Sequence, residues 1–178
     1  MKHTISVLVE NKFGALARIA GLFSGRGFNI ESLTVSPTYN PGMSKMTIVT
    51  SGDDAVIEQV DKQLNRLIDV VHVTDLTSSE FVESELMLLK VKADRTTRSE
   101  IMQIATIFKA DIKHVHHDVL VLQLTGTSEK LDACIELMEA FGIVELARTG
   151  KVALSRGAEA TEDLDTTVAD TTPDEAVG

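Results

Sequence analysis

One cysteine, Cys134, stands in 178 residues, so no disulfide can close within the chain. A reducing compartment is expected on that count. Tryptophan is missing and Tyr39 is the single tyrosine; aromatic residues make up only 4%. The core must therefore be aliphatic, and the aromatic platforms that RNA readers use to stack bases are scarce. No Lys or Arg follows Arg156. No segment approaches the ~20 consecutive apolar residues of a membrane span. Met1-Lys2-His3-Thr4 runs directly into Ile5-Ser6-Val7-Leu8-Val9, a stretch too short and too alternating for a signal peptide. The sequence reads as that of a soluble, cytoplasmic protein.

What is present suits one ordinary domain or two small ones, with 43% hydrophobic residues to build a core. The formal net charge is −10, which disfavours nucleic acid or an anionic membrane as the main partner. The charge is uneven. Glu159, Glu162, Asp163, Asp165, Asp170, Asp174 and Glu175 all lie beyond Arg156, leaving 20 acids against 17 bases in the body. Residues 158–178 read as an acidic flexible tail without a fold of its own.

Periodicity divides the body into two similar halves. Ile5, Val7 and Val9 mark one face of a strand over 4–10. Leu16, Ile19, Ala20 and Phe23 recur at helical steps, and Gly27 stands where a left-handed C-cap is expected. Strands follow over 30–36 and 45–50, joined through Tyr39-Asn40-Pro41-Gly42. Asp53 or Asp54 caps a helix whose buried side carries Val56, Ile57, Val60, Leu64 and Leu67, and a strand follows over 70–75. After a linker, the order recurs: a strand over 86–93, a helix opened by the capping box Thr97-Arg98-Ser99-Glu100, strands over 111–116 and 119–125, a helix capped by Ser128, and a strand from Ile143 that could extend to Leu154.

Two β-α-β-β-α-β units imply an α+β fold of two consecutive ferredoxin-like domains, with helices on one face of each antiparallel sheet. The expected boundaries are 1–76 and 84–157, with a linker over 77–83. Each half covers only one sheet face with helices. The open face or the sheet edge must meet something else, and a homodimer is the simplest answer.

Chemistry concentrates at Asn11-Lys12-Phe13-Gly14-Ala15-Leu16, between the first strand and the first helix. A helix start offers free backbone N–H groups to a carboxylate. An asparagine amide can accept from an ammonium or donate to a carboxylate. Gly14 lets a ligand approach the backbone closely. An isolated Asn-x-x-Gly is usually only a turn. Here a second polar–apolar pair, Asn29-Ile30, opens the next strand.

Asn11-x-x-Gly14-Ala15 resembles the loop of ACT domains, small ferredoxin-like modules that bind amino acids at a shared interface. The resemblance runs further, through Gly21-Leu22-Phe23-Ser24 and the run from Arg26 to Val35, then Met46-Thr47-Ile48-Val49 and Leu67-Ile68-Asp69-Val70. In the second half it includes the stretches from Glu85 to Val91, Gly126 to Ala133, Gly142 to Gly150, and Leu154 to Gly157. Over residues 1–157 the chain resembles the small regulatory subunits of acetolactate synthase. That resemblance implies a non-catalytic subunit that activates a large thiamine-diphosphate catalytic subunit and confers feedback inhibition by valine in branched-chain amino acid biosynthesis. It implies no catalytic residue and no metal site in this chain; thiamine diphosphate, magnesium and FAD are expected on the catalytic partner. Carried over by position, Asn11, Gly14, Ala15 and Leu16 line the amino-acid site from one protomer, and Asn29 and Ile30 complete it from the other.

Other candidate motifs carry blander readings. Gly25-Arg26-Gly27 lies at a helix end and lacks the Lys-Ser/Thr of a phosphate loop. Gly52-Asp53-Asp54 lacks the third glycine of the thiamine-diphosphate Gly-Asp-Gly and reads as a capped turn. Cys134 falls on an apolar helix face and reads as core. His3 and His72 are isolated and expected on outer strands. His114, His116 and His117 cluster, so a free-standing metal- or ligand-sensing module is the alternative. Arg18, Arg26, Arg95, Arg98 and Arg148 read as surface or subunit contacts.

Overall fold

The computed structural model describes residues 1–157; the acidic tail expected over 158–178 lies outside the described residues. The first half runs β1 (Lys2–Glu10), α1 (Ala15–Gly25), β2 (Ile30–Pro37), β3 (Met43–Ser51), α2 (Asp54–Leu64) and β4 (Val70–Asp75). Its antiparallel sheet has the order β2-β3-β1-β4, so β2 and β4 are the edges. Alternation on the strands puts Ile5, Val7, Val9, Met46 and Ile48 on one face. Ile19 and Phe23 of α1 and Val60 and Leu64 of α2 close over that face as an aliphatic core. Phe28 meets Phe23 edge-to-face at 6.3 Å. Asp53 starts α2 by accepting the N–H of Val56 at 2.8 Å. Gly27 has φ 73 and closes the turn after α1 with its N–H on the Ser24 carbonyl.

The second half runs β5 (Phe81–Lys92), α3 (Arg98–Phe108), β6 (Asp111–Val115), β7 (Val119–Gly126), α4 (Ser128–Glu139) and β8 (Ile143–Arg148), followed by β9 (Val152–Ser155). Its sheet has the order β6-β7-β5-β8. Met87, Leu89, Val91, Leu120, Leu122 and Leu124 face Ile101, Ala105, Leu131, Cys134 and Met138 of the two helices. The α+β fold of two ferredoxin-like units is thus the observed one.

Several details depart from the sequence reading. β5 begins at Phe81, inside the expected linker, because residues 81–84 pair with β9. The linker is reduced to a 3-10 turn over Leu76–Ser78 and the two residues that follow. β8 does not extend to Leu154. Gly150 breaks it with φ 83, and β9 turns away. His3 sits on β1, an inner strand, and is buried against Asp75, with Nδ1 3.2 Å from the carboxylate.

The Thr97 hydroxyl does not cap α3. Asp94 takes that role, with Oδ1 accepting the N–H groups of Thr96 at 2.7 Å and Thr97 at 2.9 Å. An Asx turn of this kind competes well with a capping box because the carboxylate is the stronger acceptor. At α4 the cap is Thr127, whose hydroxyl accepts from Lys130 N, while Ser128 turns to Glu85.

The face of the first sheet away from its helices carries Thr4, Ser6 and Thr47, all buried. The C-terminal segment covers it. Gly150 packs on Ser32 and Thr34, the Thr34 hydroxyl donates to the Lys151 carbonyl at 2.8 Å, and Ala153 of β9 is buried. Part of the open face that a second copy was expected to cover is therefore covered by the chain itself, and the edge strand β2 is left.

Candidate functional site

The β1–α1 turn is pinned to the β2–β3 loop. Asn11 N–H donates to the Gly42 carbonyl at 2.7 Å, and Asn11 Nδ2 donates to the Pro41 carbonyl at 3.1 Å. The Asn11 amide oxygen has no donor among the described residues and stays available as an acceptor. Gly14 is the N-cap of α1 with φ 84, a left-handed conformation that glycine adopts without strain. Ala15 N–H is spent on the Lys12 carbonyl at 3.2 Å, and Arg18 N–H on the Gly14 carbonyl at 3.0 Å. Between them, the N–H groups of Leu16 and Ala17 meet no acceptor among the described residues. They form the open donor pair of the helix start.

Arg18 adds a charge that sequence reasoning assigned to the surface. Its Nε donates to Asp69 at 2.5 Å, and Nη2 reaches the Phe13 carbonyl at 3.4 Å. A Cβ on Gly14 would lie 3.1 Å from Arg18 Nη1, so the guanidinium lies beside the helix tip. The Asp69 carboxylate is buried and holds Arg18 in place. The two residues are 51 positions apart in sequence, and no local pattern announces such a pair. The turn thus offers two backbone donors, a half-exposed guanidinium, an amide acceptor and the exposed apolar side chains of Phe13 and Leu16. That set matches a free amino acid: carboxylate at the helix tip, ammonium at the amide oxygen, aliphatic side chain on the apolar surface. Ala15 differs from expectation, because its methyl group is buried in the domain and its N–H is taken.

Asn29 and Ile30 are not beside this turn in one chain. Ile30 pairs with Thr50, which pairs with His3, while Glu10 pairs with Met43. Seven strand positions separate the two rows, about 23 Å at the rise of an extended strand. Asn29 is exposed, with its carbonyl accepting the Thr50 hydroxyl at 2.6 Å, and Ile30 is half-buried. A free amino acid cannot touch both walls of one protomer.

A second polar cluster lies in the second half of the molecule, beside the first. Glu85, buried on β5, receives Arg148 Nε at 2.8 Å and Nη2 at 2.7 Å, Ser128 Oγ at 3.1 Å and Gly150 N–H at 3.2 Å. Arg148 also reaches Asp132 of α4 at 2.6 Å. Burial works against ionisation of Glu85, yet Arg148 and the two other donors hold its carboxyl below the usual range. Sequence reasoning missed this pairing because it too spans 63 residues. The cluster borders a cavity of about 550 Å³ between the two sheets, lined also by Lys2, Glu31 and Lys151.

The histidine cluster does not assemble. β6 ends at Val115, a register shift precedes His114, and His116 and His117 stack edge-to-face in the turn. Among the described residues no group of three or more His, Cys, Asp or Glu is arranged to hold a metal ion. Cys134 is buried, and no helix among the described residues is long and apolar enough to cross a membrane.

Residues 84–157 match the family described as the small subunit of acetolactate synthase, and residues 5–72 match the acetohydroxyacid synthase (AHAS) small subunit-like ACT domain. The chain belongs to the acetolactate synthase small-subunit family. It is 55% identical over 157 residues to the probable acetolactate synthase small subunit of Archaeoglobus fulgidus, covering 88% of this chain and 98% of that protein. It is 49% identical over 158 residues to the acetolactate synthase isozyme 3 small subunit of Escherichia coli, covering 88% and 97%. The crystal structure of the acetolactate synthase small subunit of Thermotoga maritima matches with a TM-score of 0.80 at 40% identity, over 88% of this chain and 98% of that one. Within this family assignment, the ACT match contains both walls, Asn11–Leu16 and Asn29–Ile30. The small-subunit match contains Glu85, Arg148 and Gly150.

Proposed function

We propose that this chain is the regulatory subunit that raises the activity of a thiamine-diphosphate acetolactate synthase and makes it sensitive to valine. Thiamine diphosphate, magnesium and FAD belong, on this reading, to the catalytic partner, and the complex works in the cytoplasm. The observation that carries the proposal is the β1–α1 turn: two unspent N–H groups, Arg18 and the Asn11 amide oxygen gathered around Gly14.

The strand topology supports a second wall supplied by another copy. β2 is an edge strand, open to a second copy. Pairing two β2 strands antiparallel across a two-fold axis sets the Ile30 end of one beside the Pro37 end of the other. The β2–β3 loop at that end is the one that Asn11 grips. A homodimer formed this way brings Asn29 and Ile30 of one protomer to the Asn11–Leu16 turn of its partner, and the seam encloses the amino acid. Leu16 and Ile30 then face an aliphatic side chain, and one methylene more or less changes binding by only ~1–3 kcal/mol. Preference for valine over leucine and isoleucine is modest on that account.

The test is reconstitution with a large subunit, assaying acetolactate formation with and without valine. Gly14→Asp puts a side chain on a left-handed backbone and a carboxylate beside Arg18, where the effector carboxylate binds. Asn29→Ala removes the amide from the opposite wall. Both variants are expected to activate within about twofold of the parent and to lose at least tenfold in valine affinity, about 1.4 kcal/mol or more. If both remain as valine-sensitive as the parent, the site is elsewhere.

A further inference from the structure

β2 begins at the proposed effector wall, and midway along its length it touches the other half of the molecule. Counting from Ile30, Ser32 and Thr34 lie two and four positions on, within about 13 Å along the strand. Both pack on Gly150, the joint between β8 and β9. A Cβ on Gly150 would lie 3.1 Å from Ser32 Cβ and 3.4 Å from Thr34 Cγ2, so the Gly150 backbone meets these two side chains without slack. The Thr34 hydroxyl holds the next carbonyl, that of Lys151, at 2.8 Å. From the other side, Gly150 N–H is held by Glu85, the carboxylate that also grips Arg148 and the start of α4 through Ser128.

We propose that the Gly150 joint is the element through which occupancy of the Asn29–Ile30 wall is passed from the first domain to the second. This rests on the effector reading above and concerns how that site regulates. β2 is paired on one side only and carries a register irregularity between Ile30 and Ser32, so its first residues can adjust to a bound ligand. The contact at Ser32 and Thr34 is close-packed and cannot absorb such an adjustment, because packed contacts shift between discrete arrangements instead of deforming. Gly150, at φ 83, is a hinge-like break between two strands and can take up the change. Movement there pulls on Glu85, and through it on β8 and α4. The coupling needs no residue of the second domain to touch the effector.

Two variants test this on the full chain. Thr34→Val keeps the shape and deletes the hydrogen bond to Lys151. Gly150→Val forces a β-branched residue into a left-handed backbone against Ser32, and its folding is checked by thermal melting; Thr34→Val carries the test if it fails to fold. Calorimetry on the small subunit alone is expected to give valine affinities within about threefold of the parent. Activation of the large subunit stays within about twofold. The valine concentration for half-inhibition of the reconstituted complex rises at least fivefold. In hydrogen exchange, valine is expected to change protection over 150–155 in the parent and not in the variants. Variants inhibited like the parent would overturn the joint while leaving the effector site standing. So would variants that lose valine binding itself, since the residues would then belong to the pocket. A parent that binds no valine would defeat the effector reading first, and the joint with it.

Discussion

At the scale of single residues, the chain shows how a short polar side chain decides where an element starts. Asp94 lies just before α3 and gathers the Thr96 and Thr97 N–H groups together with both threonine hydroxyls on one carboxylate oxygen. The Thr96 hydroxyl and then the backbone donors hold its carboxyl down at about 2. The unfolded value is about 3.9. A carboxyl depressed in the folded state contributes stability that is present in full above about pH 4 and disappears as pH falls toward 2. Asp94→Ala is therefore expected to unfold at lower urea than the parent at pH 7. The gap should narrow steadily between pH 4 and pH 2, where the parent loses the same charge. Urea midpoints of parent and variant across that range check this; a gap independent of pH would mean the carboxylate charge contributes nothing at this position.

Among elements, the Glu85–Arg148 pair binds β5, β8 and α4 into one unit. Removing one member of a buried ion pair leaves an unpaired charge and costs about 3 kcal/mol or more, whereas replacing both is far cheaper. Arg148→Met is expected to lower stability by about that amount in urea titration, and adding Glu85→Leu to recover a large part of it. A double variant no better than the single would show that the charges act independently. Most strands and helices were legible in the sequence because their apolar residues repeat at two or at three to four positions, as Ile5-Val7-Val9 and Leu16-Ile19-Phe23 do. β9 was not legible. Val152–Ser155 looks like a continuation of β8, and a three-residue break centred on the left-handed Gly150 separates them. The same limit hid Arg18–Asp69 and Arg148–Glu85, since pairs distant in sequence leave no periodic trace. The helix-tip candidates Asn11 and Gly14 were legible because a turn and a helix start are local, whereas the buried methyl of Ala15 depends on packing.

For the whole molecule, the decisive fact is that the two walls of the candidate site are seven strand positions apart in one chain, so the proposed site needs a second copy to supply its opposite wall. β9 already covers part of the first sheet's open face, which leaves the edge of β2 as the surface for the proposed association. A ligand held by residues of both copies binds the dimer and not the monomer, and linkage then requires it to drive dimerisation. At a hundredfold excess over its dissociation constant, each such site stabilises the assembly by about 2.7 kcal/mol. Two equivalent sites are expected on a symmetric dimer. Saturating valine should therefore shift the monomer–dimer midpoint in analytical ultracentrifugation to lower protein concentration by well over tenfold, and Asn29→Ala should abolish the shift. Lysine, whose charged side chain cannot face Leu16 and Ile30 without losing water, should leave the midpoint where it is. If valine binds to a chain whose association does not respond, the site is complete within one protomer, and the assignment of Asn29 and Ile30 to the opposing wall falls.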